Sequence, residues 1–148
     1  MLPNTSLIWA GLLFAIAIAL GAGFKVFSGR GRRVKTLESI NLSRLKVSKN
    51  GVPVTEFGKK ATLVQFSTEY CGQCPGVRRS LSQLEYRHGN LLYVEVDITQ
   101  RLDLAAHFSI SQTPTVFILD EIGTIKFRIG GVPKSAIIRA ELEKLGAL

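Results

Sequence analysis

Cysteine is scarce in this chain: 148 residues contain two, Cys71 and Cys74. A zinc site built on one CxxC ordinarily adds a second CxxC or a closely spaced pair of histidines, and neither is present. His88 and His107 stand apart in sequence and read as surface or core-edge residues. Acidic residues are missing from everything before Glu38. The net charge of +8, from 19 basic and 11 acidic groups, is therefore lopsided. Lys25, Arg30, Arg32, Arg33 and Lys35 supply most of the excess, and the remainder of the chain is close to balanced. That is a local cluster and not a nucleic-acid surface, and no nucleic-acid motif accompanies it. Basic residues are absent from Met1 to Ser6, which argues against a cleaved secretory signal, although Ala17-Ile18-Ala19 resembles a cleavage site. No internal repeat or low-complexity tract appears.

What is present begins with Leu7 to Phe24, an uncharged run of 18 residues (LIWAGLLFAIAIALGAGF). With Ser6 or Val26-Phe27 added it is long enough to cross a bilayer. Trp9 at one end and Phe24 and Phe27 at the other suit the two interfaces. Residues 6–27 are accordingly read as a transmembrane helix, 28–44 as a basic juxtamembrane linker and 45–148 as a folded domain. The five basic residues are expected to lie against anionic lipid headgroups, each charge near the surface contributing about 1 kcal/mol. All five flank the C-terminal side of the run. The positive-inside rule then places Lys25 onward in the cytoplasm and Met1 outside, the alternative being an extracytoplasmic domain.

The two cysteines lie where a strand hands over to a helix. Ala61-Thr62-Leu63-Val64-Gln65-Phe66 reads as a buried strand, and Pro75 to about His88 carries Val77, Leu81 and Leu84 at helical spacing. The first turn of a helix leaves backbone N–H groups unpaired and carries partial positive charge. A thiolate there is stabilised, so the Cys71 thiol is expected to ionise below the ordinary thiol range. Residues three apart on a helix share a face, close enough for a disulfide. The pattern is that of a reversible dithiol.

The remaining elements follow in order. Ser28 to Arg33 is a flexible, charged connector, and Thr36 to Val47 is either a brief helix or a first strand. Asn50-Gly51 marks a hairpin between Leu45-Lys46-Val47 and Val52-Pro53-Val54, placed at the edge of the domain. Leu91 to Asp97 is a strand rich in β-formers. Arg101 to Phe108 is a short helix with Leu102, Ala105 and Ala106 facing inward. Thr113 to Leu119 is the next strand, and Thr124 to Ile129 alternates as a half-exposed antiparallel one. Pro133 to Leu145 is an amphipathic helix with Ala136, Ile137, Ala140 and Leu145 on its inner face.

Over residues 45–148 the chain resembles the thioredoxin fold family. The CxxC closes a strand and begins a helix, and an apolar strand ending in Asp97 precedes a short helix. Thr113-Pro114 stands where the family keeps a cis-proline, and Gly130-Gly131 precedes the terminal helix. The hairpin and GKKATLVQFSTEYC also look like the membrane-tethered thiol-disulfide interchange proteins of the cytochrome-maturation type, without that branch's central insertion. The resemblance implies an α/β fold, a three-layer α/β/α sandwich with a mixed central sheet, here preceded by one transmembrane helix.

It also implies a protein disulfide oxidoreductase that needs no cofactor or metal. Cys71 would be the attacking thiolate and Cys74 the resolving thiol. Tyr70, Thr113, Pro114, Gly130 and Gly131 would contact an extended substrate segment. Expected partners are thiols and disulfides of membrane or membrane-proximal proteins, and an upstream thiol donor of electrons. The other reading the resemblance leaves is a redox-silent scaffold that binds a partner at the membrane. Departures from the family pattern are informative. Where the family often has a buried Asp, this chain has Gln65, which cannot take a proton. Glu69 and Glu95 are the nearest candidates for proton transfer. Tyr70 and Ser67 replace family tryptophans, and Gln73 replaces the middle proline of the motif. Thr113 before the proline is more typical of oxidising, extracytoplasmic relatives, so it points to the opposite side of the membrane from the basic cluster.

Overall fold

One strand, apolar at four of its seven positions and buried at all of them, lies at the centre of the molecule. Ala61–Ser67 (β4) is buried along its whole length. The computed structural model describes residues 4–27, 31–34 and 38–148. It joins β4 to Leu91–Asp97 (β5) in parallel, and to Thr115–Asp120 (β6) antiparallel. Ile125–Gly130 (β7) pairs antiparallel with β6, and its burial alternates residue by residue, as expected of a strand with one covered face. Helix Cys74–Arg87 (α3) and helix Ser135–Lys144 (α5) cover one face of the sheet, with Val77, Leu81, Ile138 and Leu142 in that core. The short helix Leu102–His107 (α4) covers the other, through Leu104 and Phe108. This is the three-layer α/β/α arrangement with a mixed sheet.

The stretch between the apolar run and the domain is more structured than its composition suggests. Gly31–Arg33 (β1) is an edge strand, antiparallel to β7, completing the sheet order β1-β7-β6-β4-β5. Further on, Ser39 bridges Thr124, and Leu42–Leu45 forms a single helical turn (α2) capped by the Asn41 side chain. Ile40 and Leu42 are almost fully buried in the core on the α4 side. Each such side chain contributes about 1.5–3 kcal/mol on leaving water, so the packed unit starts well before residue 45. Arg30 and Lys35 of the basic cluster lie outside the described residues, whereas Lys25, Arg32 and Arg33 are exposed.

Ser48–Lys49 (β2) and Val52–Pro53 (β3) form the expected hairpin, with Asn50 and Gly51 at φ of 52° and 79°, the left-handed pair that a tight two-residue turn demands. The hairpin is a separate two-stranded sheet and does not extend the main one. Two helix faces are turned slightly from the sequence expectation, with Ala105, Ile137 and Leu145 packed against the core as expected and the other four residues not. In α4, Leu102 is 77 % exposed and Ala106 is exposed, because Leu104 and Phe108, four apart, bury more apolar area. In α5, Ile138 and Leu142 take the core while Ala136 and Ala140 face out, for the same reason. The N-terminal helix Asn4–Phe27 (α1) contains Ser6–Lys25, long and apolar enough to cross a membrane and unburied, features a secretory signal shares.

Candidate active site

The cysteines sit at the carboxyl end of β4, where it turns into α3. The Cys71 amide donates to the Thr68 carbonyl (3.1 Å) and the Cys74 amide to the Cys71 carbonyl (3.2 Å), two tight turns that lead into the helix. Pro75 follows at the start of α3, a position where its missing N–H is no loss. Cys71 is half-buried, Cys74 is 2 % exposed, and a disulfide joins them at a Cα–Cα separation of 5.5 Å. The sulfur that can be reached is thus the one just ahead of the helix. No acidic side chain occupies the first turn of α3, so nothing there offsets the helix dipole that favours a thiolate once the pair is reduced.

Thr113-Pro114 is a cis peptide, as the resemblance implies, and its loop lies beside the cysteine loop. The Thr113 and Thr68 hydroxyls are 3.3 Å apart and bonded. The Gly131 amide donates to the Pro114 carbonyl (2.7 Å), and Gly131 takes a φ of 83°, which suits glycine. Thr115 pairs with Gly130 across the strands. Thr113, Pro114, Gly130 and Gly131 therefore converge on one end of the sheet, the end that carries the cysteines. Tyr70 is 86 % exposed beside them, and a hydrogen bond to the Glu69 carboxylate raises its phenol pKa.

Beneath the pair lies a polar file built on Gln65. Gln65 is fully buried, yet both ends of its amide are satisfied. Its Nε2 donates to the Cys74 carbonyl (3.1 Å), and its Oε1 accepts from the Tyr93 hydroxyl (3.0 Å). Burial first, then the Glu95 charge, pushes the Tyr93 phenol well above its ordinary range. Glu95 stands opposite Gln65 in the β4–β5 register and receives the Arg78 guanidinium from α3 through two bonds, one of 2.9 Å. That hydrogen bond, and then the charge of Glu95, raises the Arg78 pKa. Glu69 faces solvent, its amide held by the Thr99 hydroxyl (2.9 Å). Among the described residues neither carboxylate bonds to Cys71 or Cys74, and every buried side-chain polar atom has a partner. Tyr93 was findable: strand alternation places it on the face shared by Gln65 and Glu95. Arg78 was not, because its partner comes from a different element.

Comparison with known proteins agrees with this geometry. The thioredoxin family model matches residues 46–143. A thioredoxin of Streptomyces clavuligerus is 30 % identical over 81 residues, covering 55 % of this chain and 76 % of that protein. Thioredoxin domain-containing protein 8 of Mus musculus is 28 % identical over 61 residues, so the match spans about half (48 %) of that relative. Among solved structures, thioredoxin f2 of Chlamydomonas reinhardtii is 20 % identical with a TM-score of 0.52, covering 59 % of this chain and 80 % of that one. A malaria-parasite thioredoxin-2 is 21 % identical with a TM-score of 0.53, covering 76 % and 99 %. Those two likenesses speak to the fold. Together with the half-exposed Cys71 and buried Cys74 at a helix start, the family match makes the conclusion direct: this chain belongs to the thioredoxin family, with Cys71 and Cys74 as its redox-type CxxC pair.

Proposed function

We propose that the protein is a membrane-tethered thiol-disulfide oxidoreductase acting on protein substrates close to the bilayer. The observation that carries the reading is the asymmetry of the pair, one accessible sulfur ahead of a helix and one buried sulfur behind it, next to a cis-proline loop. In the reducing direction, the Cys71 thiolate attacks one sulfur of a substrate disulfide. A mixed disulfide forms and the other substrate sulfur leaves as a thiolate, which takes up a proton. Cys74 then loses its proton and attacks the Cys71 sulfur, closing the Cys71–Cys74 bond and releasing the second substrate thiol. Two electrons pass to the substrate, and a dithiol donor restores the pair by the same exchange in reverse. Thr113, Pro114, Gly130, Gly131 and Tyr70 receive the substrate backbone as an added strand.

The apolar helix, retained as an anchor, and the basic residues after it support the tether, and the charge asymmetry favours a cytoplasmic domain. On that side the ambient thiol poise keeps the pair reduced, so the reductase direction follows. A topology reporter fused after Leu148 tests the sidedness. For the chemistry, the chain should catalyse insulin reduction by dithiothreitol. Cys71→Ser should abolish that activity, and Cys74→Ser should accumulate a mixed disulfide. A Cys71→Ser, Cys74→Ser double variant that retained full cellular function would favour the partner-binding scaffold instead.

A further inference from the structure

The chain enters the sheet at the catalytic end. β4 runs toward the cysteines, and the antiparallel pairings make β6 start, β7 finish and β1 start at that same end. In register, Phe66 faces Thr115, Thr115 faces Gly130, and Gly31 faces Ile129, the neighbour of Gly130. The first residue of β1 therefore lies beside the Gly130-Gly131 rim. Neighbouring strands are about 4.8 Å apart, so three spacings put the tether's entry roughly 15 Å across the sheet from the β4 end that carries Cys71. Only three residues, 28–30, separate Phe27 from Gly31, and even fully extended those steps reach no more than about 14 Å.

The entry point is pinned. A Cβ at Gly31 would lie 1.8 Å from the Phe127 ring, and that ring is packed in the core between the sheet and α5, so only glycine lets the strand lie down there. Arg33 adds an ion pair to Glu141 of α5 (3.6 Å), and Val34 donates to the Lys126 carbonyl (3.2 Å). On the opposite face Arg32 stands across from Arg128, whose guanidinium is held by the Phe108 and Ser109 carbonyls and lies over the Phe117 ring, so the exposed Arg32 is the charge of that pair left to face solvent or a lipid surface.

We infer that β1 is a clamp that turns the cysteine rim toward the bilayer, so that the protein selects disulfides in juxtamembrane segments over those that stand far from the membrane. The inference rests on the tethered-oxidoreductase reading and adds to it an orientation and a substrate class. The test uses the full chain in liposomes, fed by dithiothreitol. It compares two single-span peptides, one with a disulfide loop next to the bilayer and one with the same loop on a rigid helical spacer about 60 Å long. The native chain should reduce the near loop at least about tenfold faster than the far one, an effective-concentration effect. Gly31→Val, which detaches β1, should bring the ratio to within about twofold. So should a flexible insertion of about 20 residues between Ser28 and Gly29, which leaves β1 intact. Both variants should still reduce insulin in detergent at the native rate. As a readout apart from turnover, a polymer-sized maleimide should label reduced Cys71 in liposomes about tenfold more slowly in the native chain than in either variant, with a small alkylating agent labelling all three alike. A native ratio near one, or a preference that survives both variants, overturns the orientation. Failure of the native chain to reduce insulin in detergent instead overturns the oxidoreductase reading, and release of the chain from membranes by alkaline carbonate overturns the tether.

Discussion

The two faces of the central sheet are filled by different chemistry from the same strands. On the α4 side Phe66, Phe108 and Phe117 form an aromatic cluster with ring centroids 5.0 to 5.9 Å apart, surrounded by aliphatic side chains. On the α3 side the same stretches of β4 and β5 carry Gln65, Tyr93 and Glu95, a polar file that ends on the Cys74 carbonyl. Phe66 and Gln65 are adjacent in sequence and equally buried. One is held by area removed from water, which is non-directional, and the other by hydrogen bonds, which fix positions. The aromatic face should therefore set how stable the domain is, and the polar face how the cysteine pair is held.

The largest effect that separates them is on the aromatic side. Phe66→Ala should lower the unfolding free energy by about 3–5 kcal/mol in urea titrations. The exchange rate of the molecules that remain folded should change less than about twofold, and a parallel loss of both would show the faces to be coupled. Next in size is Gln65→Leu, which removes the acceptor of the Tyr93 hydroxyl proton and the donor to the Cys74 carbonyl. Leaving such groups buried without partners costs about 1–3 kcal/mol, and here the exchange rate should fall as well. Gln65→Asp sharpens the point from the other direction. An amide cannot take the Cys74 proton and a carboxylate can, so single-turnover release of substrate from the mixed disulfide should speed up in that variant. No gain would mean that proton removal from Cys74 does not limit the step.

How far the sequence anticipates this depends on whether a feature is local. The β4–α3 handover, the Asn50-Gly51 turn and the half-exposed β7 are local: a two- or three-and-a-half-residue period, or a turn needing positive φ, is legible without knowing the neighbours. Thr113-Pro114 and the convergence of Gly130 and Gly131 were legible only through the family resemblance, since nothing in a Thr-Pro dipeptide announces its isomer. What escaped is what needs a third party. Gly31-Arg32-Arg33 looks like a solvated connector until β7 offers a free edge and Phe127 a flat ring. The inward faces of α4 and α5 are legible only in part: Ala105, Ile137 and Leu145 pack against the core as the periodicity predicts, but only packing shows that Leu104, Phe108, Ile138 and Leu142 fill it in place of Leu102, Ala106, Ala136 and Ala140. Arg78 pairs with a residue 17 positions away, a separation that no pattern along the chain encodes.

The smallest effect belongs to Tyr93, and its sign distinguishes the two faces by pH. At neutral pH Tyr93→Phe removes one buried hydrogen bond to Gln65 and should cost about 1 kcal/mol. The phenol ionises well above its ordinary range in the folded state, because burial opposes the phenolate and the Glu95 charge reinforces that, with Arg78 acting against both. A group whose folded pKa is raised contributes stability that is complete below the unfolded value, about 10, and is lost as pH climbs toward the folded one. The unfolded chain then takes the charge that the folded chain resists. Wild type should accordingly lose stability above about pH 10 faster than the Phe variant, which has no phenol to ionise there. Tyr70 and Tyr86, both exposed, are common to the two proteins and cancel in the difference. Urea unfolding of both proteins at about pH 8 and about pH 11 gives the comparison directly. The wild-type advantage should shrink or reverse at the higher pH, whereas Phe66→Ala should show a deficit that does not change with pH. A constant Tyr93→Phe deficit would mean that the polar file behaves like the aromatic one, held by packing rather than by the placement of charge and protons.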